Sequence, residues 1–206
     1  MKTIGVTGRS GSGKSTLARA LGNLGAYVLD GDQIAAGLMQ PGSPVLKNVR
    51  ESFGPSYFTE GGALDRKKLG ERVFSDEKAL TLLNAIVHPA FKDKIQDLLD
   101  DLRVKPETPD YAVIDAAVLF EAGLETICDL VVAVICDEGE MAGRIALRDG
   151  LTEEKALDRI RSQKTKVCDY DMCRRADITV ISRGDPTEME AWAERILRIA
   201  KGIRND

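Results

Sequence analysis

Residues 8–15 read Gly8-Arg9-Ser10-Gly11-Ser12-Gly13-Lys14-Ser15, which matches the pattern G-x-x-x-x-G-K-S/T at every specified position. The stretch follows an apolar run, Thr3–Thr7, and opens a helical pattern that begins at Lys14. Glycines let such a loop curl until its backbone N–H groups point at phosphate oxygens, and the following helix adds the positive end of its dipole. Lys14 can then reach the β- and γ-phosphates of a nucleotide, and the Ser15 hydroxyl can ligate Mg²⁺. The sequence therefore predicts a phosphate-binding loop between a strand and a helix.

Two other interpretations of the glycine-rich stretch are weaker. A dinucleotide-binding turn would use the glycines together with an acid further along, such as Asp30 or Asp32. That fingerprint requires Gly or Ala where Thr16 stands, and it gives Lys14 no role. A glycine-rich turn that binds nothing is the other alternative, and the strand and helix on either side of the loop argue against it.

Five short apolar runs along the chain predict β-strands. They are mostly continuous rather than alternating, which is typical of strands buried on both faces. Helical patterns lie between them, so the order predicts a parallel sheet covered by helices, an α/β fold with a five-stranded parallel sheet flanked by helices. The runs are Thr3–Thr7, Ala26–Asp30, Tyr111–Ala116, Asp129–Cys136 and Asp177–Ile181.

A long insertion, residues 31–110, separates the second and third predicted strands and exceeds what one crossover connection requires. Over Asp76–Leu102 its apolar residues recur at steps of three and four, which predicts an amphipathic helix. Pro89 predicts a break or kink in that helix, because proline removes a backbone donor and disfavours helix at the residue before it, His88. We expect residues 33–89 to form a small helical subdomain.

A second insertion, residues 144–173, is highly charged. Thr152 is followed there by two glutamates, the pattern of a helix N-cap with acids in the first turn. Arg144 and Arg148 lie four residues apart, so on a helix both face one way. Arginines commonly meet the negative charge that spreads over the oxygens of a transferring phosphoryl group. A solvated charged face is the alternative for these two residues.

Composition limits the classes of protein to which the chain can belong. Its 206 residues include 29 Lys+Arg and 33 Asp+Glu, a formal charge of −4, which is opposite to the bias of proteins that bind nucleic acid. No apolar run approaches the roughly 20 residues that cross a bilayer, and the N-terminus lacks the pattern of a secretory signal. Four cysteines without C-x-x-C spacing and a single histidine leave few ligands for a zinc cluster. We expect a cytoplasmic protein with free thiols that binds neither nucleic acid nor membrane.

Three aspartates lie at the ends of predicted strands. Asp30 and Asp32 come at the end of the second strand, and Asp115 ends the third. In open α/β sheets the carboxyl ends of the strands border the ligand crevice, so we expect these carboxylates near the phosphate loop. A carboxylate there can accept a proton from an attacking hydroxyl or help to hold Mg²⁺, in the case of Asp115 through water. The alternative for Asp32 is a cap on a helix that begins at Gln33.

A series of short motifs follows the phosphate loop in a fixed order. They are Val28–Asp32, Leu64–Leu69, Val73–Asp76, Leu83–Pro89, Val118–Glu121, Arg144–Asp149, Gln163, and Ala176-Asp177 ahead of Gly184. The ordered set resembles the bacterial dephospho-coenzyme A kinases over roughly residues 3–185. The phosphate loop alone would indicate only a P-loop protein, whereas the Leu-Asp-Arg and Ile-Val-His-Pro segments of the first insertion are far more particular to this family.

The resemblance implies a P-loop kinase fold and a reaction. The γ-phosphoryl group of ATP would pass to the ribose 3′-hydroxyl of dephospho-coenzyme A, with Mg²⁺, as the last step of coenzyme A biosynthesis. Residues 1–32, 90–143 and 174–206 would form the nucleotide-binding core, residues 33–89 the coenzyme A-side subdomain and residues 144–173 a helical lid. Another P-loop kinase acting on a nucleotide or a small metabolite is the alternative. A nucleotide-operated switch is less favoured, since the chain has no Asn-Lys-x-Asp guanine-binding motif.

The resemblance also implies roles for individual residues. The ATP phosphates would be held by Gly11, Ser12, Gly13, Lys14, Ser15 and Thr16. Catalysis would use Lys14, Asp32 as the base, Arg144 and Arg148. The acceptor substrate would contact Asp32, Arg66, His88 and Phe120. Mg²⁺ would bind Ser15, with Asp30 and Asp115 as further candidates. The chain departs from the family's usual pattern at Gly31, Ala117-Val118 and Ser182, where Ala, Pro-Leu and Asn are common, and none of these changes removes a phosphate-handling group.

Overall fold

The computed structural model describes residues 1–162, 169–183 and 185–203. Its five strands form one parallel sheet in the order β2-β3-β1-β4-β5, which confirms the predicted α/β fold. Each strand agrees with its predicted run to within one residue at either end. The strands are β1 (Lys2–Thr7), β2 (Tyr27–Asp30), β3 (Tyr111–Asp115), β4 (Leu130–Cys136) and β5 (Ile178–Ser182).

Helices connect and cover these strands. In the described part of the chain they are α1 (Lys14–Asn23), α2 (Gly31–Leu38), α3 (Pro44–Phe53), α4 (Arg66–Ser75), α5 (Glu77–Arg103), α6 (Glu138–Asp149), α7 (Glu153–Ser162), α8 (Asp169–Arg175) and α9 (Pro186–Gly202). Short 3-10 turns occur at Pro55–Tyr57 and Leu124–Ile127. No helix within the described ranges is both long and apolar enough to span a membrane.

The chain divides into two compact units. One, which we call the sheet unit, comprises Met1–Gly31 and Leu99–Asp206, and the other, the helical unit, comprises Asp32–Leu98. The core of the sheet unit packs α1 and α9 together against the sheet. Its fully buried members include Ile4, Leu17, Leu21, Val132 and Ile196. Each such side chain contributes about 1.5–3 kcal/mol by leaving water, so this core holds β1, and the loop that follows it, in a fixed position.

The helical unit has a hydrophobic core of its own. Val49 of α3, Leu69 and Val73 of α4 and Ala79 of α5 are buried together there. Side-chain caps start two of its helices, since Ser43 accepts the backbone N–H of Val45 before α3 and Asp65 accepts that of Lys68 before α4. The predicted helical subdomain is therefore helical throughout its described elements.

The predicted break at His88-Pro89 is wrong. Helix α5 runs through Pro89 from Glu77 to Arg103. Proline removes one backbone hydrogen bond, but its ring lies on the exposed side of the helix. Buried residues on the other side extend beyond the proline, including Phe91 and Ile95, and this packing keeps the helix continuous.

The charged insertion is helical in its described part. Helices α6 and α7 share a buried cluster that includes Met141, Ile145, Ala156 and Ile160. The Thr152 hydroxyl accepts the backbone N–H of Lys155, as its predicted capping role requires. The predicted lid also includes residues 163–168, with Gln163 and Cys168, which lie outside the described residues, as does Gly184.

Candidate active site

The phosphate loop is shaped by three glycines with positive φ. Gly8, Gly11 and Gly13 have φ values of 154°, 81° and 102°. A Cβ atom on Gly8 would lie 2.3 Å from the carbonyl oxygen of Val134, and one on Gly11 would lie 2.9 Å from that of Met141. Backbone atoms fill the space that any side chain would need, so the loop requires glycine at these positions. The predicted loop geometry is thus a consequence of close packing against β4 and α6.

The groups that face into the loop suit an anion. Helix α1 begins at Lys14, and its N-cap residue, Gly13, provides no side-chain cap, so no acid or capping side chain offsets the positive end of the helix dipole. Ser12 Oγ is fully buried and has no hydrogen-bond partner among the residues that the structure describes. A buried hydroxyl without a partner is costly, and a phosphate oxygen would satisfy it. The residues present therefore fit the phosphates of a nucleotide.

Lys14 lies at the end of the loop, in a partly buried ion pair. Its Nζ is 3.6 Å from Asp115 Oδ1, and the two side chains are only 13% and 11% exposed. The same Nζ donates to Ser15 Oγ at 3.3 Å. Three of the side chains that the sequence predicted for the site are thus in direct contact, and Asp115 holds the ammonium group of Lys14 against the loop.

Two carboxylates lie side by side at the carboxyl ends of neighbouring strands. Asp30 in β2 is paired in register with Asp115 in β3, and both are half-buried. Parallel strands are about 4.8 Å apart, so both carboxylates lie at the same edge of the sheet as the phosphate loop. No cluster of three or more His, Cys, Asp or Glu side chains suited to a metal occurs among the described residues. A hydroxyl and one or two carboxylates nonetheless suit Mg²⁺, which usually keeps water and substrate phosphates as its other ligands.

The two predicted arginines of α6 lie in different surroundings. Arg144 Nη1 donates to the carbonyl oxygen of Gly11 at 3.1 Å and to Ser182 Oγ at 3.0 Å, and its Nη2 donates to Glu140 at 3.1 Å. Arg148, one turn further on, is 56% exposed and forms a bidentate pair with Asp149. The structure therefore brings Arg144 to the phosphate loop and leaves Arg148 at the surface of the same helix.

Two residues beside the loop were not predicted as site residues. Ser182 at the end of β5 is buried and accepts the hydrogen bond from Arg144. Arg9, within the loop, forms an ion pair with Glu138 at the start of α6. The loop motif specifies no residue type at position 9, and Ser182 lies 38 positions from Arg144, so no local signal could have identified either contact.

The described cysteines are free thiols. This holds for Cys128, Cys136 and Cys173, as predicted, in the part of the chain that the structure describes. Burial raises the pKa of Cys136, which lies opposite Ser182 in the sheet, although the nearby Arg144 guanidinium offsets part of that rise. Burial also raises the pKa of Cys128 to about 12. These two thiols are therefore protonated at neutral pH and are poor nucleophiles.

Phe120 lies in the sheet unit, beyond the end of β3. It is 5% exposed, and the guanidinium carbon of Arg175 lies 4.1 Å from the centre of its ring. Arg175 also pairs with Glu125. A cation held over an aromatic face is a favourable contact, and here it covers one face of the Phe120 ring.

The other predicted substrate residues lie on three helices of the helical unit. Asp32 is exposed in the first turn of α2, which already begins at Gly31, so the alternative of a cap on a helix starting at Gln33 is wrong. Arg66 is the exposed first residue of α4, directly after its cap. His88 is half-buried within α5.

Comparison with known proteins agrees with this fold. The family model described as dephospho-CoA kinase matches residues 2–184. A dephospho-CoA kinase of Moorella thermoacetica is 39% identical over 186 residues, covering 90% of this chain and 85% of that protein. One from Carboxydothermus hydrogenoformans is 35% identical over 196 residues, covering 95% of this chain and 91% of that protein.

Among solved structures, TT1252 from Thermus thermophilus superimposes with a TM-score of 0.76 at 30% identity, covering 96% of this chain and 97% of that one. The resemblance inferred from the ordered motifs is therefore confirmed over nearly the whole chain. This chain belongs to the dephospho-CoA kinase family.

Proposed function

We propose that the phosphate loop, Lys14 and Asp32 carry out the reaction of this family, the ATP-dependent phosphorylation of dephospho-CoA in coenzyme A biosynthesis, at its ribose 3′-hydroxyl. The observation that carries the assignment is the glycine loop with Lys14 held at its end by Asp115, 3.6 Å away. Phosphoryl transfer needs little covalent chemistry from the protein, and positioning and charge stabilisation supply most of the catalysis. Gly11, Ser12 and Gly13 then bind the phosphates through backbone N–H groups and the Ser12 hydroxyl.

ATP-dependent kinases generally use a divalent metal ion, and we propose Mg²⁺ here. When bound, it would supply positive charge that offsets the charge of the nucleotide phosphates. The Ser15 hydroxyl is its proposed direct ligand, and Asp115 and Asp30 are proposed to orient its water. Lys14 donates to the transferring phosphoryl oxygens, while Thr16, in the first turn of α1, helps to hold the phosphates.

Asp32 is the proposed general base. It follows by two residues Asp30, whose carboxylate lies at the edge of the sheet beside Asp115. Asp32 would accept the proton of the 3′-hydroxyl as that oxygen attacks the γ-phosphorus.

Arginines are proposed to meet the charge of the transferring group. Arg144 already contacts the loop through the carbonyl oxygen of Gly11 and needs only to exchange partners to reach a phosphate. Arg148 is proposed to reach the phosphates when residues 144–173 act as a lid, which excludes water once substrate is bound. Its planar fork can grip two phosphate oxygens at once.

The residues that bind the acceptor substrate are proposed from the family motifs. We propose that residues 33–89 form the coenzyme A-side subdomain, with Arg66 and His88 contacting the substrate, and that Phe120 contributes once Arg175 leaves its ring. Residues 1–32, 90–143 and 174–206 would be the nucleotide-binding core. Consistent with this metabolic role, we propose that the protein works in the cytoplasm.

An acceptor panel tests the proposed reaction. ADP release is measured with Mg-ATP and, in parallel, dephospho-CoA, AMP or shikimate as the acceptor. We expect turnover with dephospho-CoA alone and a product phosphorylated at the 3′-oxygen, identified by phosphorus NMR. Faster turnover with AMP or shikimate would instead identify a different P-loop kinase.

A matched pair of aspartate variants tests the base. We expect Asp32→Asn to lower kcat by roughly 10²–10⁴-fold, the range for a positioned general base, with little change in ATP binding. Asp30→Asn removes the same charge two residues away and should cost much less, with its effect confined to the Mg²⁺ dependence. If Asp30→Asn is crippling and Asp32→Asn is harmless, the two roles are reversed.

A further inference from the structure

Arg9 has more contacts than its place in the loop requires. The motif leaves this position unspecified, so phosphate binding does not need an arginine here. The side chain is nevertheless only 16% exposed. Its Nη1 donates to Glu138 Oε1 at 3.1 Å and lies 3.7 Å from Asp169 Oδ2, and its Nη2 donates to the carbonyl oxygen of Ile160 at 3.2 Å.

The three partners belong to three different helices. Glu138 is the first residue of α6, Ile160 lies in the last turn of α7 and Asp169 is the first residue of α8. The guanidinium of Arg9 therefore connects the phosphate loop to α6, α7 and α8, the described helices in and beside the charged insertion. A guanidinium suits these partners because two of its nitrogens are used at fixed positions, whereas a lysine has one nitrogen and cannot occupy both.

The contacts of Arg9 also affect the position of Arg144. Helix α6 carries Arg144 to the carbonyl oxygen of Gly11, and α6 packs on α7 through the buried cluster of Ile145 and Ile160. Glu138 and Ile160 thus move with the same packed pair of helices as Arg144. A shift of an ångström in a charge-stabilising group can cost about 100-fold in rate, so the fixing of α6 matters to the reaction.

We propose that Arg9 is a positioning residue that fixes α6, α7 and α8 against the phosphate loop and so aims Arg144 at the phosphates of a bound nucleoside triphosphate. This rests on the proposed function, which supplies the nucleotide. Glu138 and Asp169 are 45% and 39% exposed, so both are hydrated when Arg9 is removed and the fold survives the change.

Arg9→Ala and a matched control, Arg161→Ala, test the proposal. Arg161 also faces Glu138, at 4.0 Å, but its side chain is 66% exposed. Its substitution therefore removes one positive charge near Glu138 and leaves the contacts of the phosphate loop in place. We expect Arg9→Ala to lower kcat/KM for ATP by about tenfold or more, with KM for dephospho-CoA and the Tm close to wild type. Arg161→Ala should keep wild-type kinetics.

A double-mutant cycle with Arg144→Ala separates positioning from general support of the fold. If Arg9 acts through Arg144, Arg9→Ala adds little in the Arg144→Ala background. Arg9→Lys keeps the charge but reaches one partner, and its loss should be intermediate. Should Arg9→Ala fail to fold, the cycle is run with Arg9→Lys.

Three results would overturn the proposal: wild-type kcat/KM for ATP in Arg9→Ala, an equal loss in Arg161→Ala, or additive losses in the cycle. Calorimetric titration with Mg-ATP alone separates this proposal from the proposed function, because it needs no acceptor. If the wild type does not phosphorylate dephospho-CoA, the proposed function fails. Weaker Mg-ATP binding by Arg9→Ala than by Arg161→Ala would still support the positioning role, and equal binding would reject it.

Discussion

The phosphate loop and the helical unit supply their candidate side chains in two different ways. In the loop, backbone atoms of β4 and α6 leave no room for a Cβ on Gly8 or Gly11, and Lys14 is held by a partly buried carboxylate. In the helical unit, Arg66 is an exposed first residue of a helix, and its surroundings place few limits on it. The first region is fixed before any ligand arrives, whereas the second leaves its side chains free to adapt.

This difference follows from what each region must recognise. Phosphates are compact, and their charge is best met by dipoles and cations already in place, because those cost no reorganisation during the reaction. A large acceptor is bound through many contacts, of which each contributes modestly, so its binding residues can lie on ordinary helix surfaces. Apart from Asp32, the proposed base, substitutions should therefore be far more damaging in the loop than in the helical unit.

Among the groups proposed to bind substrate, the largest effect should come from Lys14→Ala. Lys14 is proposed to offset the charge on the transferring phosphoryl group, and losing one such contact commonly costs roughly 10²–10³ in rate. ADP release with Mg-ATP and dephospho-CoA measures the change, and circular dichroism checks the fold. Arg19→Ala, an exposed cation on the same helix, should be near wild type. A folded Lys14→Ala protein with normal kcat would reject the assignment of the loop.

The same substitution in the two regions should change stability in opposite directions. Gly8→Ala places a Cβ 2.3 Å from the carbonyl oxygen of Val134, and we expect a loss of about 1–3 kcal/mol from overpacking. Gly70→Ala, in the middle of α4, meets only Phe74 at an ordinary 3.8 Å. Alanine is the better helix former, so this variant should gain about 0.5–1 kcal/mol. Urea denaturation compares the two, and a loss of stability in both would contradict the contrast.

The phosphate loop could be predicted from sequence because its geometry is local. Glycines at fixed spacings, a preceding strand and a following helix all lie within a few residues of Lys14. The contacts of Arg9 could not be predicted, since Glu138 and Ile160 are 129 and 151 positions away. The path of α5 through Pro89 was mispredicted for a related reason: local preference opposed a helix there, and burial along its other side outweighed that preference. The roles of Arg66 and His88 rest on the family motifs and stay predictions.

An intermediate effect should come from Arg148→Lys. This residue belongs to the sheet unit but is exposed, like the candidates of the helical unit. Lysine keeps the charge and loses the fork that grips two oxygens, so we expect kcat to fall by roughly threefold to tenfold. Arg159→Lys is the control, because Arg159 also donates to Asp149 but is not proposed to reach the phosphates. If Arg148→Lys is fully active, Arg148 only lies on the solvent-exposed face of α6 and has no role in the reaction.

The smallest effect should come from Asp76, which precedes α5 in the helical unit. Its Oδ1 accepts the backbone N–H groups of Lys78 and Ala79 at 2.9 Å and 3.3 Å, and Arg72 pairs with its other oxygen at 2.7 Å. The hydrogen bond from Ala79 is the main cause that lowers the pKa of Asp76 below its usual 3.8. A carboxylate with a depressed folded pKa adds stability above its unfolded pKa, and that stability is lost as the pH falls through the folded pKa.

Asp76→Asn should therefore lower the Tm at pH 7 by roughly one or two degrees, since the amide can still cap but carries no charge. The difference from wild type should shrink as the pH falls below about 4, because the wild-type carboxyl then becomes protonated and equally neutral. Asp93→Asn, at an exposed position within α5, is the control and should leave the Tm unchanged at every pH. Thermal melts between pH 3 and pH 7 measure all three proteins. A difference that grows toward low pH would show that the charge of Asp76 does not stabilise the start of α5, and that its capping hydrogen bonds act without it.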